Sequence, residues 1–290
     1  MVTDYADRRW ISSDGLTLFA RDYAGAEGLA RLPIICLHGL TRNSRDFDAV
    51  APWLASRGHR VLAPDVRGRG LSDRDPDAVH YSPKIYARDV VEMMRSLGLA
   101  RAIFVGTSMG GIITMAMMVK RPGAVAAAIL NDVGPEVSPQ GITRILSYVG
   151  KTPKVSNWAE AADYVRQING AAFPHYTDED WARLARTAFH DKGGVPELDY
   201  DARILEPLLD HKPNQHKRMA WFLFRWLART RPTLLIRGAQ SDIITSDIAD
   251  RMKRKEPRLQ RVDVPGVGHA PMLTEPEARE AIDHFLVSLQ

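Results

Sequence analysis

The chain has 290 residues, 45% of them hydrophobic and 26% charged, with a formal net charge of +4 and a single cysteine. This composition is typical of a globular enzyme of one large domain with an insertion, and it excludes an intrachain disulfide. Basic residues are scattered, no apolar signal core begins the chain, and no apolar run reaches the ~18–20 residues needed to cross a bilayer. We therefore expect a cytoplasmic protein with no nucleic-acid or membrane partner; the sequence leaves its oligomeric state open.

In chain order, the pattern first predicts an antiparallel hairpin, because alternating stretches at residues 9–11 and 16–20 flank a Ser-Asp-Gly turn. Strand-like apolar runs follow at residues 34–37, 60–63, 102–105, 125–130, 233–236 and 261–264. Helical patterns, such as residues 85–97, lie between most of these runs. The repetition predicts an α/β fold, with a mostly parallel eight-stranded sheet covered by helices on both faces.

The alternation stops between residues 136 and 227, where helix-like segments carry many aromatic side chains and no strand is evident. We expect residues 136–227 to form an inserted helical cap over a core of residues 1–135 and 228–290. Aromatic side chains of this cap are candidates for lining an apolar pocket: Trp181, Trp221, Phe222, Phe224 and Trp226. Charged residues such as Asp178 and Arg183 favour a small soluble substrate over a lipid interface.

A Gly-x-Ser-x-Gly sequence at residues 106–110 follows the apolar run 102–105 and precedes an apolar helical pattern. A serine on a strand-to-helix turn is held in a tight backbone conformation, and the glycines remove side chains that would collide with neighbouring elements. Its hydroxyl then stands clear of the sheet, beside the positive end of the following helix. The pattern predicts that Ser108 is a nucleophile.

A serine nucleophile needs a base, and the base needs an orienting acid. His269 is the best candidate base because it follows the last predicted strand in a glycine-rich loop. For the acid we favour Asp242, which follows the strand predicted at residues 233–236, over its rival Asp132, which ends the preceding strand. The order Ser108, Asp242, His269 is the one expected of an α/β-hydrolase triad.

Acyl transfer also needs donors aimed at the developing oxyanion. His38-Gly39-Leu40 follows the strand at residues 34–37, so the backbone N–H of Leu40 is one candidate donor. The backbone N–H of Met109, next to the nucleophile, is the other. His38 is expected to brace this loop.

These motifs together resemble the α/β-hydrolase family over nearly the whole chain. The matching residues are His38-Gly39, the segment from Asp65 to Ser72, residues 106–111, Asp242 and Gly268-His269. The resemblance implies that Asp65 and Arg67 brace the loops around Ser108, and that residues 136–227 correspond to the helical cap of that family.

The serine favours hydrolysis of carboxylic esters or lactones of small soluble substrates through an acyl-enzyme, because relatives that cleave haloalkanes and epoxides resemble this architecture but use aspartate. Two alternatives stay open: a carbon–carbon bond hydrolase of aromatic breakdown, and a slowly reacting small-molecule receptor. We expect no metal or organic cofactor, since no cluster with metal-ligand spacing is present.

Overall fold

The computed structural model describes residues 5–28, 31–151, 153–209 and 217–289. Ten strands lie within these ranges: β1 Ala6–Ile11, β2 Thr17–Tyr23, β3 Ile34–Leu37, β4 Val61–Asp65, β5 Ala102–Thr107, β6 Val125–Asn131, β7 Phe189–Lys192, β8 Val195–Leu198, β9 Thr233–Gly238 and β10 Gln260–Val264. The same ranges hold the following α-helices: α1 Ala51–Ser56, α2 Pro83–Ser96, α3 Met109–Lys120, α4 Pro139–Tyr148, α5 Trp158–Asn169, α6 Asp178–Ala188, α7 Glu206–Leu209, α8 Lys217–Thr230, α9 Ser246–Lys255 and α10 Pro276–Val287.

Eight of the strands form one sheet in the order β1-β2-β4-β3-β5-β6-β9-β10. β2 is antiparallel to both of its neighbours, and the remaining strands of this sheet, β4, β3, β5, β6, β9 and β10, run parallel to one another. One apolar cluster joins the sheet to α2, α3, α8 and α9, and a second joins its other face to α1 and α10. The predicted eight-stranded, mostly parallel sheet with helices on both faces is therefore confirmed.

The connection from β6 to β9 carries α4 to α8 and the hairpin β7–β8. We call residues 139–209 of this connection the cap; α5 and α6 pack together around their own apolar cluster, which contains Trp181. The hairpin is a correction to the expectation that residues 136–227 contain no strand. The hairpin was not predicted because its residues are mostly polar and show no apolar strand pattern. Gly193 and Gly194, with φ of 63° and 89°, form the turn that joins its two strands.

Helix α8 belongs with the layers that cover the sheet. It contacts α3, and its Phe224, Leu227 and Ala228 are buried in the apolar cluster that α3 shares. The division of the chain at residues 136 and 227 stays a prediction, and this packing is a reason to propose that the cap ends before Lys217. No helix within the described residues is both long and apolar enough to cross a bilayer.

Candidate active site

The turn between β5 and α3 holds Ser108 at a φ of 50°, a conformation that L-residues rarely adopt. The adjacent glycines are required by space. A Cβ on Gly106 would lie 2.5 Å from the Gly110 backbone, and a Cβ on Gly110 would lie 2.0 Å from the Leu37 carbonyl oxygen. Close packing of α3 against β3 and β5 thus explains the Gly-x-Ser-x-Gly sequence, and Ser108 lies at the N-terminus of α3.

His269 lies beside Ser108, as its loop position suggested. Its Nε2 is 3.0 Å from Ser108 Oγ, and its Nδ1 is 2.6 Å from Asp132 Oδ2. The loop around His269 is fixed from two sides, because Asn131 Nδ2 donates to the Pro271 carbonyl and Gly268 N–H donates to the Ala172 carbonyl of the cap. The imidazole therefore bridges a hydroxyl and a carboxylate.

The carboxylate that contacts His269 is Asp132, so the expectation that Asp242 orients this imidazole is wrong. Asp132 is fully buried directly after β6, where it also has a φ of 51°. Its Oδ1 accepts the Gly238 N–H at 2.9 Å, and its Oδ2 accepts the Ser241 hydroxyl at 2.5 Å. Two donors besides His269 thus hold this carboxylate in place.

Asp242 lies four residues beyond the end of β9 and turns toward the cap. Its carboxylate forms a two-bond ion pair with Arg144 of α4, at 2.5 Å and 2.8 Å. Its carbonyl accepts the hydroxyl of Ser138, which caps the N-terminus of α4. Burial acts to raise the pKa of Asp242, but the hydrogen bond and charge of Arg144 outweigh it and lower the pKa below its ordinary value. Asp242 therefore attaches α4 to the end of β9.

Two backbone amides predicted as oxyanion donors are available in this geometry. Across the described part of the chain, no protein acceptor is found for the N–H of Leu40 or of Met109. The N–H of Met109 is at the first turn of α3, where helical amides have no partner within the helix. Leu40 lines the same cavity as Gly39 and Ser108, and Met109 directly follows Ser108 in the chain, so both amides remain candidate oxyanion donors.

Buried polar side chains hold the loop that contains Leu40. His38 Nε2 accepts the Val66 N–H at 3.0 Å, and its Nδ1 lies 2.7 Å from the Gly39 carbonyl. Burial lowers the pKa of His38 to about 4, so this ring is neutral at neutral pH and has the bracing position expected for it. Arg69 donates to the Leu40 carbonyl at 2.9 Å.

Asp65 and Arg67 also lie in supporting positions. Asp65 accepts the N–H groups of Ser44 and Leu71 at 2.6 Å and 2.8 Å. Arg67 is fully buried, and its guanidinium donates to three carboxylates, those of Asp14, Asp75 and Asp89. The loops on either side of β4 are thereby tied to each other and to α2.

A cavity of about 120 Å³ lies between the strand ends and the cap, and both Ser108 and His269 line it. Its aromatic walls come from Phe47, Tyr148, Tyr164, Phe173 and Tyr200. None of the five aromatic residues named as candidates for this lining is part of it: Trp181 packs between cap helices, Phe224 is buried against the core, and Phe222 is exposed. Helical segments rich in aromatic residues do not reveal which face is buried, so the sequence could not select the lining residues.

One group in the described ranges brings together side chains that could bind a metal ion. Asp14, Asp75 and His80 offer ligand atoms within 4.8 Å of one another. The Arg67 guanidinium already bonds both of these carboxylates, and its charge disfavours a cation there. None of the three residues lines the cavity, so we assign no metal to them, and the expectation of no cofactor stays a prediction.

Sequence reasoning missed three residues that support this arrangement: Asn131, Ser241 and Arg69. Each holds a backbone segment or carboxylate of the site. Asn131 and Ser241 belong to no motif, and Arg69 lies in the segment from Asp65 to Ser72 but was given no role there. For Asp132 a signal was present. It is the first residue after β6, as Ser108 is the first after β5, and the two strands are paired in register at Thr107 and Asn131.

Comparison with known proteins agrees with the fold. The model of the alpha/beta hydrolase family matches residues 34–281. A 3-hydroxybutyrate-oligomer hydrolase from Cupriavidus necator is 34% identical over 248 residues, which cover 84% of this chain and 84% of that protein. Lipase 1 from Psychrobacter immobilis is 27% identical over 269 residues, covering 89% and 78% of the two chains. The crystal structure of an alpha/beta hydrolase from Novosphingobium aromaticivorans has 40% identity and a TM-score of 0.90, with 99% of each chain covered.

Proposed function

The chain belongs to the α/β-hydrolase family, and from this premise we propose that it is a serine hydrolase of small carboxylic esters or lactones. The observation that carries the proposal is the series of hydrogen bonds from Ser108 to His269 to Asp132. Its two distances, 3.0 Å and 2.6 Å, are those of a nucleophile paired with a base and of a base paired with its orienting acid.

In the proposed reaction, Ser108 Oγ attacks the ester carbonyl carbon while His269 Nε2 takes the hydroxyl proton. Asp132 accepts the Nδ1–H bond, which selects the required tautomer and stabilises the imidazolium that forms. The N–H groups of Leu40 and Met109 donate to the carbonyl oxygen as it becomes negative. The carbon–oxygen bond to the alcohol then breaks, and His269 returns the proton to the departing alkoxide.

Deacylation repeats these steps with water in place of the serine. His269 removes a proton from the water as its oxygen attacks the acyl carbon, and the proton then passes to Ser108 Oγ as the carboxylic acid leaves. A lactone is an internal ester, so the same steps open its ring. All acid–base work is carried out by side chains of this chain.

Three observations support esters of small substrates. The residue at the turn between β5 and α3 is serine, which forms an acyl ester that water can cleave. The cavity beside it, about 120 Å³, is below the usual range for drug-sized ligands, ~300–1,000 Å³. Relatives along most of the chain are named as an oligomer hydrolase of 3-hydroxybutyrate and as a lipase.

A series of p-nitrophenyl esters from acetyl to dodecanoyl tests the proposal, with the wild-type protein and Ser108→Ala measured side by side. We expect turnover of the short esters and a loss of about 10⁶-fold in kcat on substitution. The optimum chain length should be short, because the cavity is small.

Turnover that survives Ser108→Ala at the wild-type rate would contradict the proposal. Release of one p-nitrophenol per protein molecule, with no further turnover, would favour a slowly reacting small-molecule receptor. Selective cleavage of carbon–carbon substrates would favour a carbon–carbon bond hydrolase. The cytoplasmic location expected from the sequence remains a prediction, which cell fractionation would test.

A further inference from the structure

The wall of the cavity formed by the loop after β3 and by the cap carries several hydrogen-bond donors. Arg42 comes from the loop, Tyr148 from the end of α4 and Tyr164 from α5, and all three line the cavity. Tyr148 is close enough to act electrostatically on both Arg42 and Tyr164. The three side chains therefore form one polar region, which we call the donor wall.

Arg42 is held rigidly beside the nucleophile. A Cβ placed on Gly39 would lie 3.5 Å from Arg42 Cγ and 3.9 Å from Ser108 Cβ, so the arginine stem and the serine both lie next to Gly39. Its Nε and Nη2 bind the carboxylate of Asp46, and Nη2 also lies 2.6 Å from the Thr187 hydroxyl. No residue in the described ranges accepts from Nη1, which leaves that edge of the guanidinium for a ligand.

The two tyrosines add hydroxyl protons to the same wall. Burial raises the pKa of both Tyr148 and Tyr164, so both phenols are protonated at neutral pH. No acceptor for the Tyr148 hydroxyl is found in the described part of the chain, and Arg144, whose charge acts on this phenol, can only donate. For the Tyr164 hydroxyl no protein partner is present in the described part of the chain.

Much of the cavity lining around these donors is apolar, including Ile145, Val165 and Ile168. A ligand that fills this small, largely apolar space would bury these donors, and an unsatisfied buried polar group is costly. The donors therefore favour a ligand that brings acceptor oxygens. The Arg42 charge is balanced by Asp46 and the Arg144 charge by Asp242, so the wall has no excess positive charge. A neutral oxygen therefore fits it better than a carboxylate.

We propose that the donor wall is an acyl subsite that selects acyl groups carrying a second neutral oxygen, a hydroxyl or an acyloxy group, near the scissile carbonyl. The substrate class is esters of hydroxyalkanoic acids and their short oligoesters. This inference rests on the proposed ester hydrolysis and adds the recognition of the acyl group to it. Arg42 Nη1 and the hydroxyls of Tyr148 and Tyr164 donate to the second oxygen, and the aliphatic side chains enclose the carbon chain.

The test compares kcat/KM for p-nitrophenyl 3-hydroxybutanoate and p-nitrophenyl butanoate, which differ by one hydroxyl. We expect the wild-type protein to prefer the hydroxylated ester by about ten-fold. Tyr164→Phe removes one donor and keeps the ring, so the preference should fall about three-fold or more. Tyr5→Phe is the matched control, because the Tyr5 ring packs against Tyr23 at a tilt of 51°, outside the cavity, and this variant should retain the wild-type preference.

The inference would be overturned if the wild-type kcat/KM values for the two esters were about equal. It would also be overturned if Tyr164→Phe left the ratio of these values unchanged. A third substrate, p-nitrophenyl hemisuccinate, carries a carboxylate instead of a hydroxyl. Its hydrolysis should be slower than that of the hydroxylated ester, and faster hydrolysis would contradict the neutral character of the wall.

Binding separates failure of this inference from failure of the proposed function. Calorimetry with Ser108→Ala protein should give a dissociation constant for methyl 3-hydroxybutanoate about five-fold or more below that for methyl butanoate. This result would support the subsite even if no ester were turned over. Equal dissociation constants would overturn it even if ester hydrolysis were established.

Discussion

The loops that follow β6 and β9 each contain an aspartate near the candidate nucleophile, but the two carboxylates have different partners. Asp132 comes directly after β6, is fully buried and receives bonds from His269, Ser241 and the Gly238 amide. Asp242 follows β9 by four residues, has a side chain that is 34% exposed, and pairs with Arg144 of the cap. One loop thus faces the imidazole, and the other faces the cap.

The difference follows from the geometry of the sheet. β6 is the immediate neighbour of β5, which carries Ser108, so the first residue beyond β6 lies next to the serine turn. The loop after β9 is one strand farther away and contributes Ser241 to the Asp132 carboxylate. Which carboxylate reaches the imidazole depends on the position of its strand in the sheet and on its distance from the end of that strand. The order of residues along the chain does not by itself decide between two candidates.

Among changes to the loops after β6 and β9, the largest expected effect comes from Asp132→Asn. Asparagine tolerates the positive φ of this position and keeps the shape, but it cannot stabilise the imidazolium and favours the wrong tautomer. We expect kcat on a short p-nitrophenyl ester to fall about 10⁴-fold. Thermal unfolding of the variant should be recorded beside the rates; a folded variant that keeps more than a tenth of wild-type kcat would assign the orienting role elsewhere.

A smaller effect is expected for Ser241→Ala, which removes the second side-chain donor to Asp132. The carboxylate would keep the Gly238 amide and His269, so we expect kcat to fall about ten-fold, with little change in KM. Ser246→Ala is the matched control, because Ser246 is an exposed residue in the first turn of α9. Equal rates for the two variants would show that Ser241 supports only its own loop.

Asp242→Asn should change catalysis least. We expect kcat within about three-fold of the wild-type value, because no bond joins Asp242 to the imidazole. Stability should decrease by about 0.5–1 kcal/mol, the upper part of the range for partly exposed ion pairs, because the variant loses the charge that faces Arg144. Urea unfolding measures this change, and a loss of kcat like that of Asp132→Asn would reverse the assignment of the two acids.

The stability contribution of Asp242 should depend on pH in a definite direction. Its pKa in the folded state is below the ordinary value of 3.8, so the contribution is fully present above about pH 4–5 and disappears as pH falls through the folded-state pKa. The difference in unfolding free energy between wild type and Asp242→Asn should therefore be constant from pH 5 to 8 and shrink in acid. A difference that grows in acid would contradict the ion pair with Arg144.

Much of the fold could be predicted from the sequence because its strands are continuous apolar runs. The run at residues 34–37 is β3 itself, and the run at residues 102–105 is the first part of β5. The pairing of Ser108 with His269 could also be predicted from local patterns, namely the glycines of the turn after β5 and the glycine-rich loop after β10. The hairpin β7–β8 was missed because its pattern is polar and short.

The choice of acid and the cavity lining could not be predicted, because both depend on contacts between distant segments. Asp242 and Asp132 both follow strands, and only the pairing of β6 with β5 separates them. The donor wall joins a loop after β3 to two cap helices, and Tyr148 and Tyr164 belong to no motif. Trp221 and Phe222 drew attention by size, yet they lie on α8, away from the cavity.

The most direct test of the Asp132 assignment is proton NMR of the imidazole Nδ1–H of His269. A proton shared between imidazole and a buried carboxylate gives a strongly deshielded signal, which His269→Gln assigns by its loss. The signal should persist in Asp242→Asn and disappear in Asp132→Asn. Loss of the signal in Asp242→Asn, together with its survival in Asp132→Asn, would contradict the account.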